Sequence, residues 1–302
     1  MPNFTNKVID RLRYEKYKFL VDHHPRPVIE KIWLREFGYK PDWKHPRDPN
    51  EKIQWLICYG DTSQWPFLAD KYRVREYVKQ KGYGHLLPKL YGVWDDADDI
   101  DFETLPRQFV LKCNHDCGSY TIIDKSLGYD KVLVVSTLRS HTKQKYGYFF
   151  CEPHYNNIKP LIIAEEFLVF NNSISFSQID YKVWCFEGKP YCIFTCHNRN
   201  ASQLSISVYD LDWNVHPEYI NTSSHYKDGS GAIPRPKVLK EMLLAAEDLS
   251  QDLHEARIDF YVANDQLFFG EITLTSAAGR MNYFAKDYLI ELGNQIHLPL
   301  LK

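Results

Sequence analysis

The sequence predicts an α+β fold, and three observations carry that reading. Between Gln108 and Asp210 there are six short runs of strand formers, QFVLKC, SYTIID, LIIAEEF, IDYKVWCF, KPYCIFTC and LSISVYD, separated by turn residues, the pattern of an antiparallel sheet. Residues 237–253 repeat apolar side chains at steps of three and four, through Leu239, Met242, Ala246, Leu249 and Leu253. That is the period of an amphipathic helix, with Pro236 at its start. The segment RIDFYVANDQLFFGEIT then returns to strand character on both sides of an Asn-Asp turn.

The other elements follow in chain order. Residues 1–60 mix short helical patterns with the proline-broken stretch KPDWKHPRDPN. Asp70 is an N-cap candidate for KYRVREYVKQK, which places Lys71 in the first helical turn and makes Gly82 the stop. Residues 129–150 read as helical or irregular. The polar stretch 210–235 is long for a connection inside a compact domain and is expected to act as a lid.

Bulk properties narrow the function classes. In 302 residues, 44% are apolar and 25% charged, as in an ordinary globular chain, and 15% are aromatic. With 37 basic against 39 acidic residues the net charge is −2, which gives no electrostatic support to nucleic-acid binding. No apolar run is long enough to span a membrane or to form a secretory leader, so a cytoplasmic location is expected. Seven cysteines, an odd number over a long chain, fit free thiols better than a disulfide framework.

Three local patterns carry chemistry. Asp259 and Glu271 interrupt apolar strands, where buried carboxylates must be paired or metal-bound. In a hairpin without a bulge, their separation puts both on one face if the loop has an odd number of residues, such as three centred on Asp265. Two carboxylates there suit Mg²⁺, while pairing with Arg257 is the structural alternative. Lys112 ends a strand just before Gly118 and Ser119. An ammonium beside backbone amides freed by glycine makes a phosphate site, although a plain edge lysine has the same pattern. Cys113, His115, Asp116 and Cys117 could suggest zinc, but a structural site needs a second ligand pair. Cys192 and Cys196 would sit roughly 13 Å apart along a strand, too far to chelate one ion. A nucleophile elbow and a P-loop are both absent from the sequence.

Taken in order, DKYRVREYV, FVLKCNHDCGS, IIAEEFL, DYKVWCFEGKP and RIDFYVANDQLFFGEIT resemble the ATP-grasp superfamily, specifically its teichuronopeptide-biosynthesis (TupA-like) branch, over about residues 50–297. The resemblance implies two α+β subdomains with antiparallel sheets that clasp ATP. They would cover residues 69–168 and 169–302, after a mainly helical N-terminal region over 1–68. It implies that Lys71, Lys112 and Lys182 counter the charge of ATP, that Cys117, Gly118 and Ser119 form the phosphate loop, and that Glu165, Glu166, Phe167 and Leu168 form the adenine hinge. Asp180 would hold the ribose. Asp259, Glu271 and Thr273 would bind one or two Mg²⁺ ions, with Thr273 standing where many relatives carry asparagine.

Arg257, Lys112 and Lys71 would serve catalysis, and Ser276, Gly279 and Arg280 the acceptor substrate. The implied reaction is ATP-dependent carboxylate–amine ligation through an acyl phosphate. It would join an amine or amino acid to a uronic acid or acidic residue in capsule or cell-wall polysaccharide biosynthesis, with peripheral association to membrane machinery. The alternatives are an ATP-grasp kinase and a non-catalytic nucleotide-binding or glycosyltransferase-associated protein of the same pathway.

Overall fold

The structure, a computed structural model, describes residues 4–170 and 173–300. The chain opens with α1 (Phe4–His23), α2 (Arg26–Phe37), α3 (Pro49–Tyr59), α4 (Trp65–Ala69) and α5 (Val74–Gln80). Then come β1 (Leu90–Trp94), β2 (Gln108–Cys113), β3 (Thr121–Asp124), α6 (Lys131–Thr142), α7 (Gly147–Phe150) and β4 (Ile162–Glu166). The remainder is β5 (Asp180–Phe186), β6 (Lys189–His197), β7 (Leu204–Tyr209), β8 (Tyr226–Asp228), α8 (Leu239–Leu249), β9 (Glu255–Ala263), β10 (Gln266–Thr273) and α9 (Lys286–Asn294).

The strands form two sheets. A four-stranded sheet has the order β1-β4-β2-β3, and a six-stranded sheet has the order β10-β9-β5-β6-β7-β8. Every pairing is antiparallel except β7 with β8. All six expected strand runs are present, with β2 spanning the QFVLKC run.

Two apolar clusters follow from this division. The small sheet buries Phe109, Leu111, Cys113, Ile162 and Ala164 together with Phe102 from the loop before β2 and Leu138 of α6. The larger cluster combines Val183, Ile258 and Phe260 of the six-stranded sheet with Met242, Ala245 and Ala246 of α8. It also takes in Val28, Ile29, Ile53, Trp55 and Leu56, so α2 and α3 share a core with the large sheet. Lys52 ties α3 to the chain's last turns by donating to the carbonyls of Gly293 (2.7 Å) and Ile296 (2.8 Å).

Four local expectations are corrected. Asp70 caps a turn rather than the helix: its Oδ1 accepts from Tyr72 N (2.9 Å) and Arg73 N (3.2 Å), and α5 begins only at Val74. Lys71 therefore lies before the helix. α8 ends at Leu249, because Asp252 adopts φ 66° and turns the chain into β9, leaving Leu253 outside.

The third correction concerns 210–235, which does not hang free as a lid. Tyr219 stacks on Tyr288 (3.8 Å), Ile220 bridges to Phe284, Ile233 is buried and β8 extends the large sheet. Its apolar anchors are scattered among polar residues, so composition hides them. The fourth is the hairpin loop. It has two residues, Asn264 and Asp265, both at positive φ (52° and 59°) as an Asn-Asp turn of this length requires, and not three.

Candidate active site

The two-residue turn alone would place Asp259 and Glu271 on opposite faces, since it pairs Phe260 with Phe269. A bulge at Gly270 supplies the missing residue and brings Glu271 directly across from Asp259. Glycine suits this close approach: a Cβ would meet the Asp259 carbonyl oxygen at 3.0 Å and the Tyr261 ring at 3.1 Å. The carboxylates thus share a face by a bulge, not by an odd loop.

Strand alternation then builds a row of functional groups. Lys182 of β5 is opposite Asp259, Trp184 is opposite Arg257, and Arg257 is opposite Thr273. Arg257 grips Asp259 with Nε (2.6 Å to Oδ1) and Nη2 (2.8 Å to Oδ2). Nη2 also lies 3.3 Å from Glu271 Oε1 and 3.0 Å from Thr273 Oγ1. Lys182 donates to Asp259 Oδ2, and the Arg257 guanidinium lies over Trp184 (5.6 Å).

The small sheet faces this row. Lys112 is paired with Glu165 Oε2, and Arg75, at the start of α5, holds Oε1 at 2.8 Å. Lys71 sits 3.6 Å from Glu271 Oε2 and donates to the Asp116 carbonyl. Burial works to raise the Glu271 pKa, but Lys71, Arg257, Lys182 and Lys112 together overcome it and hold it at about 2. Burial likewise opposes the charge on Lys71 and Lys182, yet both pKa values are raised, by Glu271 and Asp259 respectively. Lys71 from the turn before α5, Lys112 from the small sheet, and Lys182 and Arg257 from the large sheet therefore all act on one carboxylate.

The loop after β2 is fixed by hydrogen bonds within it. Ser119 is buried, its Oγ accepting from Cys113 N (2.9 Å) and donating to Asp116, whose other oxygen meets His141 Nδ1 at 2.7 Å. Cys117 is exposed, and Gly118 takes φ 84°. Cys113 is core, its thiol pushed up to about 12 by burial.

At the hinge, Glu166 N donates to the Lys89 carbonyl (2.9 Å), and Leu168 is buried while Phe167 is half-buried. Asp180 begins β5, where Arg199 holds it at 2.6 Å. After Thr273 the chain makes a left-handed turn, with φ 49°, 52° and 64° at Ala277, Ala278 and Gly279. Two consecutive alanines in this region carry strain of about 1–2 kcal/mol each. α3 holds the turn: Gln54 donates to Ala278 O (2.8 Å), and Asn50 accepts from Met281 N (2.7 Å). Ser276 and Gly279 are buried supports, with Ser276 3.5 Å from Arg257, while Arg280 extends over Phe150 to Glu36 (3.1 Å).

The fold thus brings together Lys71, Lys112, Lys182, Arg257, Asp259, Glu271 and Thr273. Sequence reasoning missed Arg75 and Glu152, the latter bonded to Thr275 (2.5 Å). Neither had a signal in local spacing, since Lys71 lies before α5 and Glu152 meets a residue 123 positions away. The oxygen-only donor set of Asp259, Glu271 and Thr273 fits Mg²⁺, and the cationic Nη2 of Arg257 already rests within reach of all three.

A search of curated protein sequences finds no match. Similar solved structures include the D-alanine–D-alanine ligase of Bacillus anthracis, at 17% identity over 76% of this chain and 68% of that one, with a TM-score of 0.40. They also include the D-alanine–D-alanine ligase of Helicobacter pylori (12%, 83% and 67%, 0.43) and the L-amino acid ligase of Bacillus licheniformis (12%, 85% and 54%, 0.42). A family model described as TupA-like ATPgrasp matches residues 51–297, and the chain accordingly belongs to the TupA-like ATP-grasp family.

Proposed function

We propose that the protein is an ATP-dependent carboxylate–amine ligase. The observation that carries this reading is the convergence of Lys71, Lys112, Lys182 and Arg257 on the Asp259–Glu271 pair. Phosphoryl transfer asks the protein mainly for positioning and charge neutralisation, which this cluster supplies. Asp259, Glu271 and Thr273 would hold Mg²⁺, which when bound neutralises charge on the phosphate oxygens.

Lys112 reaches the triphosphate from the small sheet and Lys71 from the turn before α5, with the Cys117–Ser119 loop along its flank. The backbone of Glu166, Phe167 and Leu168 meets the adenine edge, Glu165 orients Lys112, and Asp180 lies two residues before Lys182 to meet the ribose. The substrate carboxylate attacks the γ-phosphate, ADP leaves, and Arg257 stabilises the acyl phosphate. An amine bound near Arg280 then displaces phosphate, in a turn shaped by Ser276 and Gly279. The carboxylate belongs to a uronic acid or acidic residue of a surface polysaccharide, a reading that rests on the branch of the family. The reaction would take place in the cytoplasm, beside membrane assembly machinery.

The test is a screen of carboxylate and amine pairs for ADP release from Mg-ATP, followed by mass measurement of the product. Lys112→Ala and Glu271→Gln are the controls. ADP release that needs both partners supports the ligase, ADP release undiminished without any amine makes the protein a kinase, and full activity in both variants refutes the site.

A further inference from the structure

We infer that Thr275 and Glu152 form the proton exit for the acceptor amine, an inference that rests on the ligase reading. At neutral pH an amine arrives as an ammonium ion, and it must lose a proton before its nitrogen lone pair can attack. The site is crowded with cations and needs a proton acceptor that is not already bound to one.

The buried carboxylates can be sorted by partner. Asp259 and Glu165 are ion-paired to lysine and arginine, and Asp116 is held by Ser119 and His141. Asp70 caps its turn, Glu51 accepts from Asp42 N and Arg47 N, and Glu255 lies at the apolar end of the sheet beside Trp184. Glu152 differs. It is 4% exposed, and its hydrogen-bond partner is a hydroxyl, Thr275 Oγ1 at 2.5 Å.

Position supports the relay. Thr275 lies just past the end of β10, two residues after Thr273 and next to Ser276, whose Oγ is 3.5 Å from Arg257, so it stands between the candidate metal donors and the acceptor turn. Glu152 approaches from the segment between α7 and β4, as does Tyr155, while Tyr146 stands just before α7; both tyrosines feel the charge of Glu152 and Glu271. The Thr275–Glu152 pair and the Arg257–Ser276 contact thus involve neighbouring residues of one turn.

The ammonium gives a proton to Thr275 Oγ1 as that hydroxyl passes its own to Glu152 Oε1. The amine lone pair forms the C–N bond, the C–O bond to phosphate breaks, and the leaving phosphate carries off the electron pair and takes the second nitrogen proton. Glu152 suits the task because burial raises its carboxyl to about 7, against the pull of Thr275 and Arg280. The titratable groups facing it are Arg280 from the acceptor turn and Tyr146, Tyr155 and Cys151 from its own segment.

The test compares acceptors that do and do not need deprotonation. Wild type, Glu152→Gln and Thr275→Val are assayed with Mg-ATP, one of D-alanine, L-glutamate or D-glucuronate as carboxylate, and an α-amino acid or hydroxylamine as acceptor. Hydroxylamine is largely neutral near pH 7. Amide formation falls at least about a hundred-fold in both variants, while hydroxamate formation falls far less. Thr275→Ser, which keeps the hydroxyl, restores amide formation, and the wild-type rise in kcat near pH 7 disappears in Glu152→Gln. Equal losses with both acceptors, or no loss with either, overturn the relay. Wild-type protein that releases no ADP with any of these pairs overturns the ligase reading beneath it.

Discussion

Glu255 opens β9 on the face that carries Arg257 and Asp259, and it is 3% exposed beside Trp184. Burial pushes its carboxyl from 4.5 up to about 8, against the pull of Arg257. Between those two values the folded chain keeps a proton that the unfolded chain has released. Stability therefore falls as pH rises through this window, by about 1.4 kcal/mol per pH unit. Below the window both states are protonated and above it both are ionised, so the accumulated loss reaches about 3–5 kcal/mol. Glutamine cannot ionise, and Glu255→Gln removes this slope. Urea unfolding of both proteins from about pH 5 to pH 8 tests it, and the titration of Glu152, common to both, cancels in the difference. The variant's advantage should grow with pH across the window. A difference that stays constant with pH would refute the claim that Glu255 is protonated in the folded chain.

Three further outcomes follow from the site. Gly270→Ala forces a Cβ to 3.0 Å from the Asp259 carbonyl and costs about 1–3 kcal/mol in thermal or urea unfolding; Mg²⁺-dependent ATP binding, read by calorimetry, weakens more than Mg²⁺-free binding. Lys71→Met removes a charge-assisted contact worth about 1.5–3 kcal/mol to the phosphates, so ATP affinity drops roughly ten-fold or more in the same assay, and unchanged affinity rules out its phosphate role. Cys117→Ser leaves ATP affinity unchanged, because the loop is held by Ser119, Asp116 and His141 and not by the thiol.

Much of the fold was legible because strands β2, β5, β6 and β7 alternate or run apolar between clear turn residues. β1 was not, since Leu90–Trp94 is short, half-buried throughout and interrupted by Gly92. Asp259 and Glu271 could be singled out from their chemistry, but their shared face depends on a one-residue bulge that hydrophobic pattern does not mark. The attachment of α2 and α3 to the large sheet, and the grip of Gln54 and Asn50 on the acceptor turn, depend on contacts more than 200 residues apart. Local periodicity carries no information about such contacts. The same holds for Thr275 and Glu152, separated by 123 residues.

The most direct test of the account is a crystal structure with Mg²⁺ and a non-hydrolysable ATP analogue. It should show the metal on Asp259 and Glu271, the terminal phosphate between Lys112 and Arg257, and the adenine at the Glu166–Leu168 backbone. A nucleotide bound elsewhere, or Asp259 and Glu271 still closed on Lys182 and Arg257 with the nucleotide in place, would contradict it.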